Sequence, residues 1–348
     1  MTIRLFTLMS PLLLLFLLAG GCATLPYQYS AARESPEELP EFGPAGTQID
    51  RGRPVAFLDG VGHYVVSLPS KLLLLNWEVD RHRISPETEQ ILSDYLAANN
   101  LTEVKVRLNQ YAPGGEWRRL VANREMPGFF KYTVGAITTS LYTVLPGRFF
   151  GGDNYNPYTN TINIYSDQPA VVLHEAAHAK DFAGRSRGFR GWYAFMRLLP
   201  LVPLWQEAEA TGDTVGYTIE EKMREERKDS YKVLYPAYST YIAGEGLRWI
   251  GLEPWTNYAI QLAVAVPGHI TGRIKAALVE DEEGGTEESG TVEPQNNEPQ
   301  NRRSELQESG TAEPQNIEPQ NRRSELQESG TVEPQNIELQ NRRSELQQ

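Results

Sequence analysis

The sequence contains little cysteine, little histidine and no excess of positive charge. One Cys and five His occur in 348 residues, and 33 Lys and Arg stand against 45 Asp and Glu, which gives a formal net charge of −12. A single Cys excludes both an intramolecular disulfide framework and a cysteine-rich zinc module. The acidic balance argues against nucleic acid as a partner, because binding the phosphate backbone requires clustered Lys and Arg.

The amino-terminal apolar run is too short to cross a membrane. It extends over the 14 residues from Leu5 to Leu18 and follows one basic residue, Arg4. A membrane-spanning helix needs about 20 predominantly apolar residues, whereas the apolar core of a signal peptide has about 7–15. We therefore predict a signal peptide over residues 1–21.

The small residues before the only cysteine, Ala19-Gly20-Gly21-Cys22, resemble the lipobox of bacterial lipoproteins. This resemblance implies that the Cys22 thiol receives a diacylglyceryl group and that the acyl chains hold the protein in a membrane of the cell envelope. Because Ala rather than Asp follows Cys22, it also implies the outer membrane, facing the periplasm, in a Gram-negative source. The alternative is an ordinary secretory signal with an incidental Cys22.

Composition predicts unfolded segments on both sides of a central domain. Residues 22–54 are rich in Pro, Gly, Glu and Ser, which suits a flexible tether between the lipidated Cys22 and the domain, residues 55–280. The segment 281–348 carries −10 of the net charge and contains near copies of a 20-residue unit. Each copy has too few apolar side chains to offset the chain entropy lost on folding, so we predict a disordered acidic tail.

The candidate metal-binding and catalytic residues lie in a predicted helix that follows a predicted strand. Thr159–Tyr165 alternates like a half-buried strand, and a Ser-Asp pair before Pro169 predicts the start of a helix. In that helix His174, Glu175 and His178 form an H-E-x-x-H motif. Histidines four residues apart project from one helix face, where both can bind one zinc ion, and the adjacent Glu175 is placed to act as the general base.

This motif resembles that of the zincin metallopeptidases. The resemblance implies a mixed sheet before the active-site helix, with an edge strand that holds an extended substrate by main-chain pairing; Thr159–Tyr165 is expected to be that strand. The metzincin pattern requires Gly at position 181 and His at position 184, but the chain has Asp181 and Gly184. The gluzincin pattern remains, in which a Glu from a second helix is the third metal ligand.

Two glutamates compete for the role of third ligand. At 100° per residue, Leu204 and Thr211 lie on the inward face of the second helix, and Glu207 borders that face. Glu209 falls on the opposite side, so helix phase favours Glu207. The opposing observation is that gluzincins often place an Asp four residues after the ligand, and Asp213 stands four residues after Glu209.

Three further residues are candidates for supporting roles. Tyr238 and Tyr241 follow the second helix, and gluzincins commonly use a later Tyr or His to stabilise the oxyanion. Asp181, one turn after His178, is a candidate for orienting an imidazole as a neighbouring carboxylate. The alternatives are ordinary core or surface aromatics for the tyrosines and a solvated helix-end charge for Asp181.

Two apolar stretches, Gly191–Trp205 and Trp255–Pro267, are expected to pack in the core. Pro200 and Pro203 interrupt the first, and Asn257 and Gln261 interrupt the second. Neither is long enough to span a bilayer.

The sequence thus predicts an α+β protein with a zincin-like core, a small mixed or antiparallel sheet and two metal-binding helices. The predicted function is that of a lipid-anchored, zinc-dependent metalloendopeptidase that acts on a peptide or protein substrate. The alternatives are an envelope lipoprotein that keeps the scaffold without turnover and a zinc hydrolase with a non-peptide substrate.

Overall fold

A four-stranded mixed sheet precedes the helix that carries the H-E-x-x-H motif. The computed structural model of the protein describes residues 23–30, 48–150, 152–248 and 251–288. The strands are β1 (Ile49–Arg51), β2 (Lys105–Leu108), β3 (Asn154–Asn156) and β4 (Thr161–Ile164). Their order across the sheet is β1-β2-β4-β3. Strands β1, β2 and β4 are parallel, and β3 runs antiparallel to β4.

Most of the described chain is helical. Two π-helical turns, Gly62–Val66 and Lys131–Gly135, each adjoin an α-helix. The α-helices are α1 (Ala56–Val61), α2 (Leu68–Leu74), α3 (Pro86–Ala98), α4 (Pro113–Ala122), α5 (Gly128–Phe130), α6 (Ala136–Val144), α7 (Gly147–Phe150), α8 (Pro169–Ala183), α9 (Arg187–Met196), α10 (Val202–Glu220), α11 (Arg224–Leu247) and α12 (Pro254–Glu288). The prediction of a mixed α+β fold with a small mixed sheet is confirmed.

The strand predicted to form the sheet edge lies inside the sheet. Strand β4, within Thr159–Tyr165, pairs with β2 on one side and with β3 on the other, and all four of its residues are buried. The short strand β3 forms the edge instead. The prediction was wrong because it rested on the position of the segment just before the helix, and position in the sequence does not show how many neighbours a strand has in the sheet.

Helix α8 is the central element of the core. It contacts α3, α10, α11, β3 and β4. Nine of its 15 residues are buried, so more than one face of the helix lies inside the protein. Its amino terminus is capped by Gln168, whose side chain accepts a hydrogen bond from the Ala170 amide at 3.2 Å. The predicted Asp167 binds the start of α3 instead, through the Ser85 amide at 2.9 Å.

The described part of the predicted tether packs against the domain. The Thr24 amide donates to the Gly212 carbonyl of α10 at 3.0 Å, and Tyr27 is 7% exposed. The Tyr27 hydroxyl lies 3.2 Å from Asn99 Oδ1 and 3.3 Å from Asp213 Oδ1. The composition of this segment could not predict the contact with the domain, because burying one aromatic ring stabilises the contact more than several polar neighbours do. The predicted signal peptide, Cys22 and residues 31–47 lie outside the described residues.

Helix α12 differs from two predictions. It extends to Glu288, eight residues into the predicted disordered tail, and residues 289–348 lie outside the described residues. Its portion Pro254–Val279 is long and apolar enough, by length and composition, to cross a membrane, yet only 28% of an apolar 18-residue stretch within it is buried. The core packing expected for Trp255–Pro267 was therefore wrong, and Trp255 is 85% exposed.

Asp213 joins the amino-terminal segment to two helices. Its carboxylate accepts hydrogen bonds from the hydroxyls of Tyr27 and Tyr95 and forms an ion pair with Lys180 of α8. We therefore expect Asp213→Ala to lower the free energy of unfolding by about 1–3 kcal/mol or more, because three polar groups lose their acceptor. Denaturant unfolding of the full chain measures this change.

Glu220→Ala is the matched control, since Glu220 is exposed on the same helix. Its effect is expected to stay within about 0.5 kcal/mol. Equal losses in the two variants would show that the Asp213 contacts do not stabilise the fold.

Candidate metal centre

Helices α8 and α10 bring three metal-binding side chains together. His174 and His178 of α8 and Glu207 of α10 are buried, and one candidate ligand atom from each lies within 4.8 Å of the others. His174 Nε2 is 2.9 Å from Glu207 Oε2, and His178 Nε2 is 3.4 Å from Glu207 Oε1. The two imidazole rings are 4.6 Å apart between centroids and nearly perpendicular. This group could hold a metal ion.

Buried charge makes this cluster electrostatically distinctive. Burial alone raises the pKa of the Glu207 carboxyl, but the attraction of His178 and the hydrogen bond with His174 lower that pKa well below its ordinary value. For His174, burial lowers the pKa, but the hydrogen bond with Glu207 raises it above its ordinary value. Glu207 is thus the ionised partner of both histidines.

An unpredicted cation also reaches this carboxylate. Arg197 Nη2 donates to Glu207 Oε1 at 2.8 Å. Arg197 lies in the connection between α9 and α10, and it is the only charged residue of the apolar stretch Gly191–Trp205. Its position as a lone charge in an apolar stretch was the one sequence signal that could have identified Arg197 as a functional residue. A buried carboxylate requires such partners, because the desolvation of an unpaired charge costs several kcal/mol.

The structure selects Glu207 over Glu209. Glu209 is exposed, and its Oε1 accepts a hydrogen bond from Trp205 Nε1 at 3.1 Å. The helix-phase prediction is confirmed. Asp213, which had favoured Glu209, binds tyrosine hydroxyls and Lys180 rather than a histidine.

Glu175 is held between the metal-binding group and the edge strand. Its Oε2 accepts a hydrogen bond from the Tyr155 amide of β3 at 2.8 Å. Glu175 also lines a cavity of about 240 Å³ together with His174 and Glu207. The predicted general base therefore faces the same space as the candidate metal ligands, and a strand amide fixes one of its oxygens.

Both candidate tyrosines of α11 line this cavity. Tyr238 is buried, and burial followed by the charge of Glu207 raises its pKa to about 12. Tyr241 has a more exposed side chain, but the charge of Glu207 is the largest cause that raises its pKa, followed by burial. Both hydroxyls are therefore neutral donors at physiological pH. Of the two, only Tyr241 has the charge of Glu207 as the main cause of its raised pKa.

Asp181 does not orient either histidine. Its carboxylate accepts two hydrogen bonds from Arg185, at 2.6 and 3.1 Å, and one from the Tyr193 hydroxyl. Within the described part of the chain, the Nδ1 atoms of His174 and His178 are buried without a hydrogen-bond partner. The prediction for Asp181 was wrong because Arg185, four residues further on, carries a full positive charge and pairs with the Asp181 carboxylate.

Two aspartates that no motif indicated, Asp80 and Asp153, also line the cavity. Asp80 accepts hydrogen bonds from the Ser70 hydroxyl at 2.9 Å and from the Gly152 amide at 3.1 Å. Asp153 accepts from the Ser166 amide at 3.0 Å. Burial, followed by the charge of Asp80, raises the pKa of Asp153 to about 7. Their proximity arises from folding between positions 73 residues apart, so local patterns give no signal for it.

The donor set fits a metal ion of the zinc type. Zinc in catalytic sites takes three protein ligands from His and Glu and keeps a fourth position open, and ligand distances of about 2.0–2.2 Å place ligand atoms about 3.3 Å apart. The nitrogen–oxygen distances of 2.9 and 3.4 Å are close to that separation. The cavity beside the group leaves room for a water molecule and a substrate.

Comparison with protein family models, curated proteins and solved structures finds no match to this chain. Similarity to another protein therefore assigns neither a family nor an activity. Function is inferred from the site itself.

Loss of one ligand is expected to abolish metal binding. We expect His174→Ala and Glu207→Ala each to reduce bound zinc to a small fraction of the wild-type content, because two ligands hold the ion much less tightly than three. Metal content of the full chain after dialysis against trace zinc measures this.

Glu209→Ala serves as the matched control and is expected to retain the metal. Loss of zinc from Glu209→Ala, with retention by Glu207→Ala, would place the ligand on the other face of α10. Circular dichroism of each variant distinguishes metal loss from unfolding.

Proposed function

We propose that the protein is a zinc-dependent metallopeptidase of the gluzincin type. The observation that carries this proposal is that one cavity is lined by His174 and Glu207 of the two-histidine, one-glutamate group, by the separate carboxylate of Glu175 and by two tyrosines. Each function that peptide hydrolysis needs then has a candidate residue: metal binding, proton transfer and stabilisation of an oxyanion.

The ligand chemistry supports zinc. Two imidazole nitrogens and one carboxylate oxygen are borderline donors that suit zinc better than magnesium or calcium, which prefer oxygen ligands throughout. His174, His178 and Glu207 would hold the zinc ion, which would supply Lewis acidity to activate a water molecule and polarise a substrate carbonyl.

The remaining steps belong to side chains of the chain itself. Glu175 accepts the proton that the attacking water loses as its oxygen bonds to the carbonyl carbon, and it passes that proton to the amine when the carbon–nitrogen bond breaks. The hydrogen bond from the Tyr155 amide holds the Glu175 carboxylate in place for both transfers. Tyr241 donates a hydrogen bond to the carbonyl oxygen as negative charge develops there.

The sheet topology supports an extended substrate near this site. Strand β3 is the antiparallel edge of the sheet, and its Tyr155 contacts Glu175 directly. An edge strand can pair with an added peptide strand, although the Tyr155 amide of β3 is already bound to Glu175. A peptide along β3 would pass beside the general base.

The proposed location is the cell envelope, with the protein attached through an acylated Cys22. Support comes from the sequence, namely the apolar run, the lipobox-like residues and the position of the only Cys. In this proposal the substrate is a peptide or protein of the same compartment.

Removal of the general base is expected to abolish hydrolysis without loss of metal. We expect Glu175→Gln to lower peptide hydrolysis by about 10²–10⁴-fold, because Gln cannot accept the proton although its carbonyl oxygen can keep the hydrogen bond from Tyr155. Cleavage of fluorescently labelled casein by the zinc-loaded full chain, with zinc content measured in parallel, tests this expectation.

The matched control is Glu209→Gln, an exposed substitution on α10 that should leave activity unchanged. Full activity in Glu175→Gln would refute the mechanism. A zinc-loaded wild-type chain that cleaves no peptide in casein or in a mixed peptide library would favour the non-catalytic lipoprotein or the non-peptide hydrolase.

The two cavity tyrosines are expected to differ in their importance for turnover. We expect Tyr241→Phe to lower kcat by about 10²–10³-fold with little change in KM, because the lost hydroxyl acts only on the charge that develops in the transition state. Tyr238→Phe is the control and is expected to have a small effect. A larger loss of kcat in Tyr238→Phe would assign the oxyanion contact to Tyr238 instead.

A further inference from the structure

Helix α12 packs against α11 through small residues. Ala265, Gly268, Gly272 and Ala276 are buried along one face of the helix. A Cβ atom at Gly272 would lie 2.2 Å from the carbonyl oxygen of Tyr231, and one at Gly268 would lie 2.7 Å from Pro236 Cα. The backbones of α11 and α12 therefore touch, and glycine is required at both positions for this close approach.

The opposite face of α12 consists of larger apolar side chains that are exposed. Val266, Ile270, Ile274 and Leu278 follow each other at intervals of four residues, and each is 52–57% exposed. Over the 26 residues Pro254–Val279 the helix contains no Asp or Glu, and its charged residues are Arg273 and Lys275. These four side chains form an apolar stripe over residues 266–278 that is presented outward.

This distribution is the reverse of that expected for a helix whose outer face meets water. In water, large aliphatic side chains are buried and the outer face carries charges. In a bilayer, small residues concentrate at helix–helix contacts, because they allow close packing, and larger apolar residues meet the lipid. We infer that the outward face of α12, which carries Val266, Ile270, Ile274 and Leu278, rests in the apolar surface layer of a lipid bilayer.

Helix α2, which lines the cavity, also carries exposed apolar side chains. Helix α2 is bound to α12, because the Leu73 carbonyl lies 2.9 Å from His269 Nε2 and the Pro69 carbonyl accepts from the Tyr258 hydroxyl at 2.9 Å. Leu68 and Leu72 of α2 are 39% and 51% exposed. Exposed apolar side chains thus occur on an element that contacts α12 as well as on α12 itself.

The contact is one-sided, so α12 lies along the membrane rather than across it. Its inner face is covered by α11, which carries exposed charges such as the Lys232–Asp229 pair. A pair of helices with charges on one side and an apolar stripe on the other fits the interfacial plane. Arg273 lies on the exposed side and has a side chain long enough to reach lipid headgroups.

A bilayer is the occupant that the rest of the chain also indicates. Thr24 is hydrogen-bonded to Gly212 of α10, so Cys22 and the preceding apolar run join the domain directly, without the intervening tether that composition predicted. Two residues of chain span at most about 7 Å. A membrane attached through Cys22 would therefore lie close to the domain near α10. A protein partner would favour a mixed face with aromatic and polar anchors over a purely aliphatic stripe.

Spin labels on the two faces test the inference. The full chain carries Cys22→Ser, so that a single introduced thiol is labelled at Ile270→Cys or Ile274→Cys, or at Arg118→Cys as the control on exposed α4. The chain is reconstituted in vesicles of phosphatidylethanolamine and phosphatidylglycerol, and only chain that floats with the vesicles, held through residues 5–18 in place of the acylated Cys22, is measured. We expect labels at positions 270 and 274 to collide several-fold more with oxygen, relative to a water-soluble nickel complex, than the label at position 118.

Equal oxygen-to-nickel ratios at all three positions would overturn the inference and place α12 in water. Exclusion of both reagents at positions 270 and 274 would also overturn it, because a protein surface would then cover the stripe. Spin–spin broadening that disappears on dilution with unlabelled chain would identify that surface as a second copy. Matching circular dichroism confirms that each labelled chain is folded.

Discussion

The buried carboxylate of Glu207 is the constraint on which the site depends. It is 2% exposed and makes close contacts with His174, His178 and Arg197. An ionised carboxylate in the interior is tolerated only with such partners, since the cost of desolvation otherwise exceeds several kcal/mol. Two imidazoles and a guanidinium therefore stabilise one buried carboxylate, and the two histidines with Glu207 form a group that could hold a metal ion.

A second contact also holds α8 and α10 together, between Lys180 and Asp213. His174 meets Glu207, and Lys180 meets Asp213; each pair is separated by 33 residues in sequence. Moving six residues along α8 thus corresponds to moving six residues along α10, so the two helices run in the same direction in one register. The second contact is structural, because Asp213 also binds Tyr27 and Tyr95. It prevents α10 from sliding along α8, which would separate Glu207 from the histidines.

Two surfaces of α2 face different environments. Its Ser70 and Leu74 line the cavity, while its carbonyls at Pro69 and Leu73 are bound by α12. The helix with the apolar outer stripe thereby supports a wall of the candidate active site. If the stripe rests in a bilayer, the cavity lies close to the membrane surface, and substrates at or near that surface have the shortest path to Glu175.

Local sequence patterns were sufficient to predict the features that depend only on residues close together in the sequence. The spacing of His174 and His178 places both on one face of any α-helix, and the phase of α10 separates Glu207 from Glu209 whatever surrounds the helix. Only the tertiary structure decided which groups those elements meet. Asp181 binds Arg185, and β4 pairs with a strand on each side. Tyr27 is buried in the core, whereas the larger apolar side chains of α12 are exposed. These outcomes depend on contacts between residues far apart in sequence, where periodicity and composition carry no information about distance.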